Sequence, residues 1–103
     1  MDYVVTTRSA DALMRAVLSL KTMDEARRFF RDLLTPEEIA EFGRRWQAAK
    51  MLDVGAPYTE IVATTGLSST TVARVSRWLK GPVGGYRLVL TRQRKLKKYG
   101  VRH

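Results

Sequence analysis

Residues 58–79, YTEIVATTGLSSTTVARVSRWL, decide the fold of this 103-residue chain. The stretch predicts a helix of about two turns, a break at Gly66-Leu67-Ser68 and a second, longer helix. Gly66 can adopt the positive φ that a tight corner needs. The apolar residues recur at three- and four-residue steps, so the two helices can bury them together only if they cross steeply. These residues are Ile61, Val62, Leu67, Val72, Val75 and Leu79.

The opposite face of the second predicted helix carries small hydroxyl residues followed by arginines. Such a face suits insertion into the major groove of DNA, and a helix-turn-helix over about residues 58–80 has these proportions. We expect contacts to base edges or nearby phosphates, with arginine to guanine as the specific contact. Corners of this kind also occur in helical domains that bind no nucleic acid, so the stretch alone leaves both interpretations open. The predicted contact residues are Ser68, Ser69, Thr70, Ala73, Arg74, Arg77 and Lys80.

The positive charge of the chain is concentrated in residues 61–103. Residues 1–60 hold nine Lys/Arg and ten Asp/Glu, whereas residues 61–103 hold ten Lys/Arg and no acid, within a net charge of +9. This asymmetry is typical of nucleic-acid binding, because each neutralised phosphate releases counterions. A membrane surface or an acidic protein would attract the same charge.

The last part of the chain predicts a short helix and then a basic tail. YRLVL, residues 86–90, fits a helix, although its alternation also fits a short strand. Residues 91–103 form the predicted tail, which we expect to contact backbone phosphates and to add affinity without sequence information. Its phosphate-binding residues are Arg92, Arg94, Lys95, Lys97 and Lys98.

Three helices are predicted before the corner. The first begins after Ser9 as N-cap and ends near Lys21; the second follows the capping box of residues 22–25; the third runs from Pro36 to about Val54. Their apolar faces are wider than one small core requires, which indicates a helical interface between two copies of the chain. A compact monomer that buries all of them is the alternative.

Composition excludes several classes of protein. Without cysteine there is no disulfide, thiolate metal site or cysteine nucleophile, and the one histidine is the terminal His103. An enzyme is therefore the weakest candidate, and we expect neither a metal nor a cofactor. No signal peptide or membrane-spanning run is present in the sequence, so we expect one soluble, cytoplasmic domain over residues 1–103.

Residues 33–79, LLTPEEIAEFGRRWQAAKMLDVGAPYTEIVATTGLSSTTVARVSRWL, resemble the Trp repressor superfamily, and more closely its YerC/YecD-type branch. The match is carried by motifs along this stretch. They are LTPEE at residues 34–38, Gly43 and Arg45, AKML at residues 49–52, Gly55, Glu60-Ile61, Thr65-Gly66 and TVARV at residues 71–75. The resemblance covers about residues 13–90. It implies an all-helical, intertwined homodimer with two helix-turn-helix heads that read half-sites about 34–36 Å apart on double-stranded DNA.

The resemblance also implies a ligand pocket between dimer core and reading head in members that sense tryptophan. The matching positions here are Thr35, Arg45, Thr71, Arg74, Val75 and Trp78. Where the sensor has a glycine and a serine, this chain has Val75 and Trp78, whose larger side chains fill that space. We therefore predict that free tryptophan is not a corepressor of this protein; the sequence leaves open whether another small-molecule effector exists.

The leading prediction is a sequence-specific, dimeric transcriptional regulator that acts as a repressor on a palindromic operator. A general nucleic-acid-coating or RNA-associated basic protein is the first rival, and it predicts little discrimination between specific and random sequence. A protein-interaction adaptor whose basic end docks on an acidic partner is the second rival.

Overall fold

A computed structural model describes residues 7–98, with side chains through residue 97, and within that range every regular element is an α-helix. The predicted all-α class is confirmed. The six helices are α1 (Arg8–Leu18), α2 (Met23–Leu33), α3 (Pro36–Asp53), α4 (Tyr58–Thr65), α5 (Ser69–Lys80) and α6 (Gly85–Lys98).

The first helix begins and ends earlier than predicted. Thr7, not Ser9, is the N-cap, because its hydroxyl oxygen accepts from the Ala10 amide over 3.0 Å. The helix ends at Leu18 instead of near Lys21. The Lys21 amide instead donates to the Glu25 carboxylate over 2.9 Å, so this residue already belongs to the start of α2.

Threonine caps start the next two helices, and the cap of α2 lies in the capping box that the sequence predicts at residues 22–25. The Thr22 hydroxyl accepts from the Glu25 amide over 3.1 Å. At α3 the exchange is reciprocal, since the Glu38 amide donates to the Thr35 hydroxyl over 3.1 Å and the Thr35 amide donates to the Glu38 carboxylate over 2.9 Å. Each such cap stabilises its helix by about 1 kcal/mol.

Residues 91–98 of the predicted basic tail, whose conformation the sequence leaves open, continue α6 as helix. This part of α6 packs on the rest of its unit: Thr91 and Leu96 are half-buried, Leu90 directly before it is buried, and Arg94 pairs with Asp53 at the end of α3. The preference for helix over strand at residues 86–90 is confirmed. Residues 99–103, the rest of the predicted tail, lie outside the described residues.

The helices divide into two compact units, Met1–Glu41 and Phe42–His103. In the first unit, neither α1 nor α2 contains a buried residue. In the second, the buried cluster joins α3 to the α4–α5 corner and consists of Ala48, Ala49, Ile61, Leu67, Val72 and Val75. The predicted apolar ridge of the corner is therefore confirmed, with Val62 and Leu79 half-buried beside it. That the whole chain is a single domain stays a prediction.

Candidate nucleic-acid interface

The turn between α4 and α5 is fixed by local hydrogen bonds. Gly66 has a φ of +76° in the left-handed region, and its amide donates to the Val62 carbonyl over 2.9 Å. Thr65 is buried, and its hydroxyl donates to the Ile61 carbonyl over 2.7 Å while accepting from the Leu67 amide over 3.2 Å. The side chain of Thr65 thus ties the end of α4 to the turn.

The first turn of α5 is organised by Ser68. Its hydroxyl accepts from the Thr71 amide over 3.1 Å and donates to the Thr71 hydroxyl over 3.0 Å. Ser68, which we predict to contact DNA, is therefore the N-cap of α5 in the structure. No acidic residue lies in the first turn, so the positive end of the helix dipole is not countered by a carboxylate of its own helix.

α5 has a fully buried face and an exposed face. Val72 and Val75 are 0% exposed and Ser76 is 4% exposed. Most residues predicted to read DNA lie on the rest of the helix surface: Ala73 is half-buried, and Ser69, Thr70, Arg74, Arg77 and Lys80 are exposed. The structure therefore brings the predicted reading residues together on one solvent-facing helix surface.

Residues of the predicted pocket line a neighbouring side of the same helix. Thr71, Arg74, Val75 and Trp78 recur at three- and four-residue steps along α5 and so share one side. Val75 belongs to the core, whereas Trp78 is 45% exposed. Arg74 lies where this side meets the reading face, which explains why both roles are predicted for it. Arg45 lies in the same unit, and Thr35 is in the other.

Aromatic stacking joins α3 to α6 next to Arg45. The rings of Trp46 and Tyr86 stack with centroids 6.2 Å apart and planes inclined by 25°. The Arg45 guanidinium lies 5.7 Å from the centroid of the Phe42 ring. Burial raises the pKa of the Tyr86 phenol above its ordinary value, and the charge of Arg45 lowers it in part. Tyr86 is therefore a neutral packing residue at physiological pH.

The basic residues of α6 differ in their surroundings. Arg92, Lys95 and Lys97 are exposed. Arg94 instead pairs with the Asp53 carboxylate, a contact that the sequence does not predict because 41 residues separate the partners. Lys98 ends α6, and its side chain lies outside the described residues.

Arg87 is a further residue that the sequence does not single out. Its Nη2 donates to the Leu79 carbonyl in the last turn of α5 over 2.6 Å. No short-range spacing signals this contact, because it crosses the connector between α5 and α6.

The described residues hold neither a candidate metal site nor a candidate membrane span. Residues 7–98 contain no group of three or more His, Asp or Glu residues placed to hold a metal ion. Across the same stretch, no helix combines the length and apolar character needed to cross a bilayer.

A family model described as Trp repressor protein matches residues 8–94, which include the α4–α5 corner and most of α6. The chain belongs to the Trp repressor family. Within it the chain is of the YerC type, because it is 39% identical over 85 residues to the uncharacterized protein YerC of Bacillus subtilis, covering 82% of both chains. Membership of this family indicates a DNA-binding regulator.

Solved structures agree with this assignment. A TrpR-like protein from Eubacterium eligens is 36% identical, with a TM-score of 0.75 over 95% of this chain and 96% of that one. A candidate Trp repressor from Staphylococcus aureus is 35% identical, with a TM-score of 0.81 over 86% of this chain and 89% of that one. The family resemblance predicted from residues 33–79 is thereby confirmed.

Proposed function

We propose that this protein is a homodimeric transcriptional repressor that binds a palindromic operator, with the α4–α5 corner acting as a helix-turn-helix and α5 entering the major groove. The observation that carries the proposal is the division of α5. One face is fully buried at Val72 and Val75, and the other presents exposed Thr70, Arg74 and Arg77. A recognition helix needs this division, because its buried face fixes the orientation in which its polar face meets base edges.

Unpartnered apolar surface supports the homodimer. Leu18 is 83% exposed, Met23 is 61% exposed and Met14 is 55% exposed, all on two helices that contain no buried residue. A second copy would cover this surface, as the family resemblance implies. Two heads related by a two-fold axis would then read two half-sites of a palindrome, and occupancy of such an operator would block polymerase access.

In this proposal α6 supplies the affinity for DNA that does not depend on base sequence. Arg92, Lys95 and Lys97 are exposed on a helix with no acidic residue, so they can neutralise phosphates without reading sequence. This division of labour assigns preference for one base sequence to α5 and salt-dependent affinity to α6.

We propose further that free tryptophan does not control the protein. Val75 is fully buried in the core of the unit and leaves no room at that position, and Trp78 supplies an indole on the same side of α5. The helix-turn-helix formed by α4 and α5 then has its DNA-binding conformation without a corepressor. Isothermal titration calorimetry of the whole chain with tryptophan should show no saturable heat, and saturable binding in the micromolar range would contradict this part of the proposal.

Two variants test the division between α5 and α6. Arg77→Ala should lower binding to the preferred duplex by about 1–3 kcal/mol and leave binding to a random duplex almost unchanged. Lys95→Gln with Lys97→Gln should weaken binding to every duplex and reduce the salt slope by about two, that is, by about 0.9 for each lost phosphate contact.

Fluorescence anisotropy over a series of salt concentrations measures both effects. Equal losses on preferred and random DNA in both variants would contradict the division. Comparable affinity of the wild type for random duplex, preferred duplex and RNA would favour a nucleic-acid-coating protein instead.

A further inference from the structure

The C-terminal end of α5 is held by a side chain of α6. Leu79 lies in the last turn of α5, where carbonyl groups have no N–H partner within the helix. Arg87 lies in the first turn of α6, and its guanidinium donates to the Leu79 carbonyl over 2.6 Å. Because the C-terminal end of a helix carries partial negative charge, a guanidinium is well matched to this position.

The chain between the two helices also stays close to the end of α5. The Gly81 amide donates to the Trp78 carbonyl over 3.2 Å. A Cβ at Gly81 would lie 3.1 Å from the Arg77 carbonyl oxygen, so a side chain here would push the connector away from the helix. Gly84, directly before α6, has a φ of +76° in the left-handed region. The chain therefore leaves α5 beside its last turn, and four residues after Gly81 it enters α6, from whose first turn Arg87 contacts the Leu79 carbonyl.

We propose that Arg87 is a positioning residue for DNA reading, whose guanidinium fixes the last turn of α5 and contacts no phosphate itself. The inference rests on the proposed function, because it assigns a role within the recognition of a base sequence. Arg77 lies two residues before Leu79, so a shift of the last turn displaces the Arg77 side chain relative to base edges. Hydrogen bonds to bases tolerate only a few tenths of an ångström of such displacement.

An exposed arginine in a basic segment would otherwise be expected to bind phosphate. The two roles differ in their salt dependence. A lost phosphate contact reduces the slope of log K against log salt by about 0.9 and weakens binding to every duplex. A lost positioning contact leaves that slope unchanged and lowers only the preference for the correct sequence.

The experiment compares Arg87→Met and Arg87→Lys with the control Arg92→Met, which removes an exposed arginine of the same helix. Each whole chain is titrated with a duplex recovered by selection from a random library and with a random duplex of equal length, over a series of salt concentrations. The carbonyl ¹³C shift of Leu79 in the free protein reports the contact directly.

Arg87→Met should move the Leu79 carbonyl shift and weaken binding to the selected duplex about five- to tenfold, with random-duplex affinity and salt slope unchanged. Arg87→Lys keeps a donor and should retain part of the preference. Arg92→Met should lower the slope and leave Leu79 unaffected.

Three results would overturn the inference. If Arg87→Met lowers the salt slope and leaves the Leu79 carbonyl ¹³C shift unchanged, Arg87 is a phosphate contact. If Arg87→Met changes the Leu79 carbonyl ¹³C shift but not the preference for the selected duplex, the contact does not position α5 for base recognition. A wild-type chain with no duplex preference overturns the proposed function as well, and this is seen before any variant is made.

Discussion

Asp53 pairs with Arg94, one of the basic residues of α6 that we predict to contact DNA. Its carboxylate accepts from Arg94, with side-chain exposures of 25% for Asp53 and 58% for Arg94. An ion pair so open to water contributes only about 0–1 kcal/mol to stability. A phosphate can therefore replace Asp53 as the partner of Arg94 at little cost, which keeps Arg94 available as a predicted DNA contact.

Asp53→Asn should accordingly strengthen binding to every duplex, because the change removes the carboxylate that competes with phosphate for Arg94. If the carboxylate limits this contact, the salt slope should steepen by up to about 0.9. Anisotropy titrations of a random duplex at several salt concentrations measure the slope. Adding Arg94→Gln to Asp53→Asn should cancel the gain; a gain that survives in the double variant would place the effect elsewhere.

The buried face of α5 could be predicted from sequence, but two side-chain contacts of α6 could not. The three- and four-residue spacing of Val72, Val75 and Leu79 fixes one face of a helix without reference to the rest of the chain. The contacts of Arg87 with Leu79 and of Arg94 with Asp53 depend on how α6 packs, which no local pattern encodes.

At the scale of the helices, the turn that joins α4 to α5 depends on Thr65 as much as on Gly66. Gly66 provides the left-handed backbone, and the Thr65 hydroxyl satisfies the Leu67 amide next to a buried side chain. The sequence predicts the role of the glycine because few other residues adopt positive φ. The sequence does not predict the role of the Thr65 hydroxyl. The helical period of α4 predicts only that residue 65 is buried, and it gives no sign of the hydrogen bond to the Leu67 amide.

Thr65→Val keeps the volume of the side chain and removes both hydrogen bonds. Leaving the Leu67 amide without this acceptor should destabilise the fold by about 1–3 kcal/mol. Urea unfolding followed by circular dichroism measures the free energy of unfolding. Thr65→Ser retains the hydroxyl, so its free energy of unfolding should fall much less. Equal decreases in the two variants would show that the packing of the Thr65 methyl group matters and its hydroxyl does not.

Helix boundaries show the same limit of local prediction. Thr7 and Ser9 are both good N-cap residues two positions apart, and only the bond from the Ala10 amide to Thr7 shows where α1 begins. The sequence leaves the conformation of residues 91–98 open, because a run of five basic residues in seven fits both a helix and a solvated tail. In the second half of α6, buried Leu90 and half-buried Thr91 and Leu96 hold the segment against the rest of the unit as a helix.

At the scale of the whole molecule, the proposed homodimer covers the exposed apolar side chains of α1 and α2 with a second copy of the chain. A carboxylate placed at Met14 remains in water in a single chain, because Met14 is 55% exposed. In a dimer that covers this face the same carboxylate would be buried against apolar groups, at a cost of several kcal/mol.

Met14→Asp should therefore weaken the dimer on the order of a hundredfold or more while leaving the helices folded. Sedimentation equilibrium measures the dissociation constant, and circular dichroism measures the helical content. Ala12→Asp is the matched control, since Ala12 is exposed on the other side of α1. Equal effects of the two variants would place the interface away from the apolar face of α1.

Selection of binding sites from a random duplex library by the whole chain tests the central claim most directly. Recovered duplexes should share an inverted repeat with half-sites about one helical turn apart, because two α5 helices related by a two-fold axis read the same bases in opposite directions. No enriched sequence, or an enriched sequence without two-fold symmetry, would contradict the account.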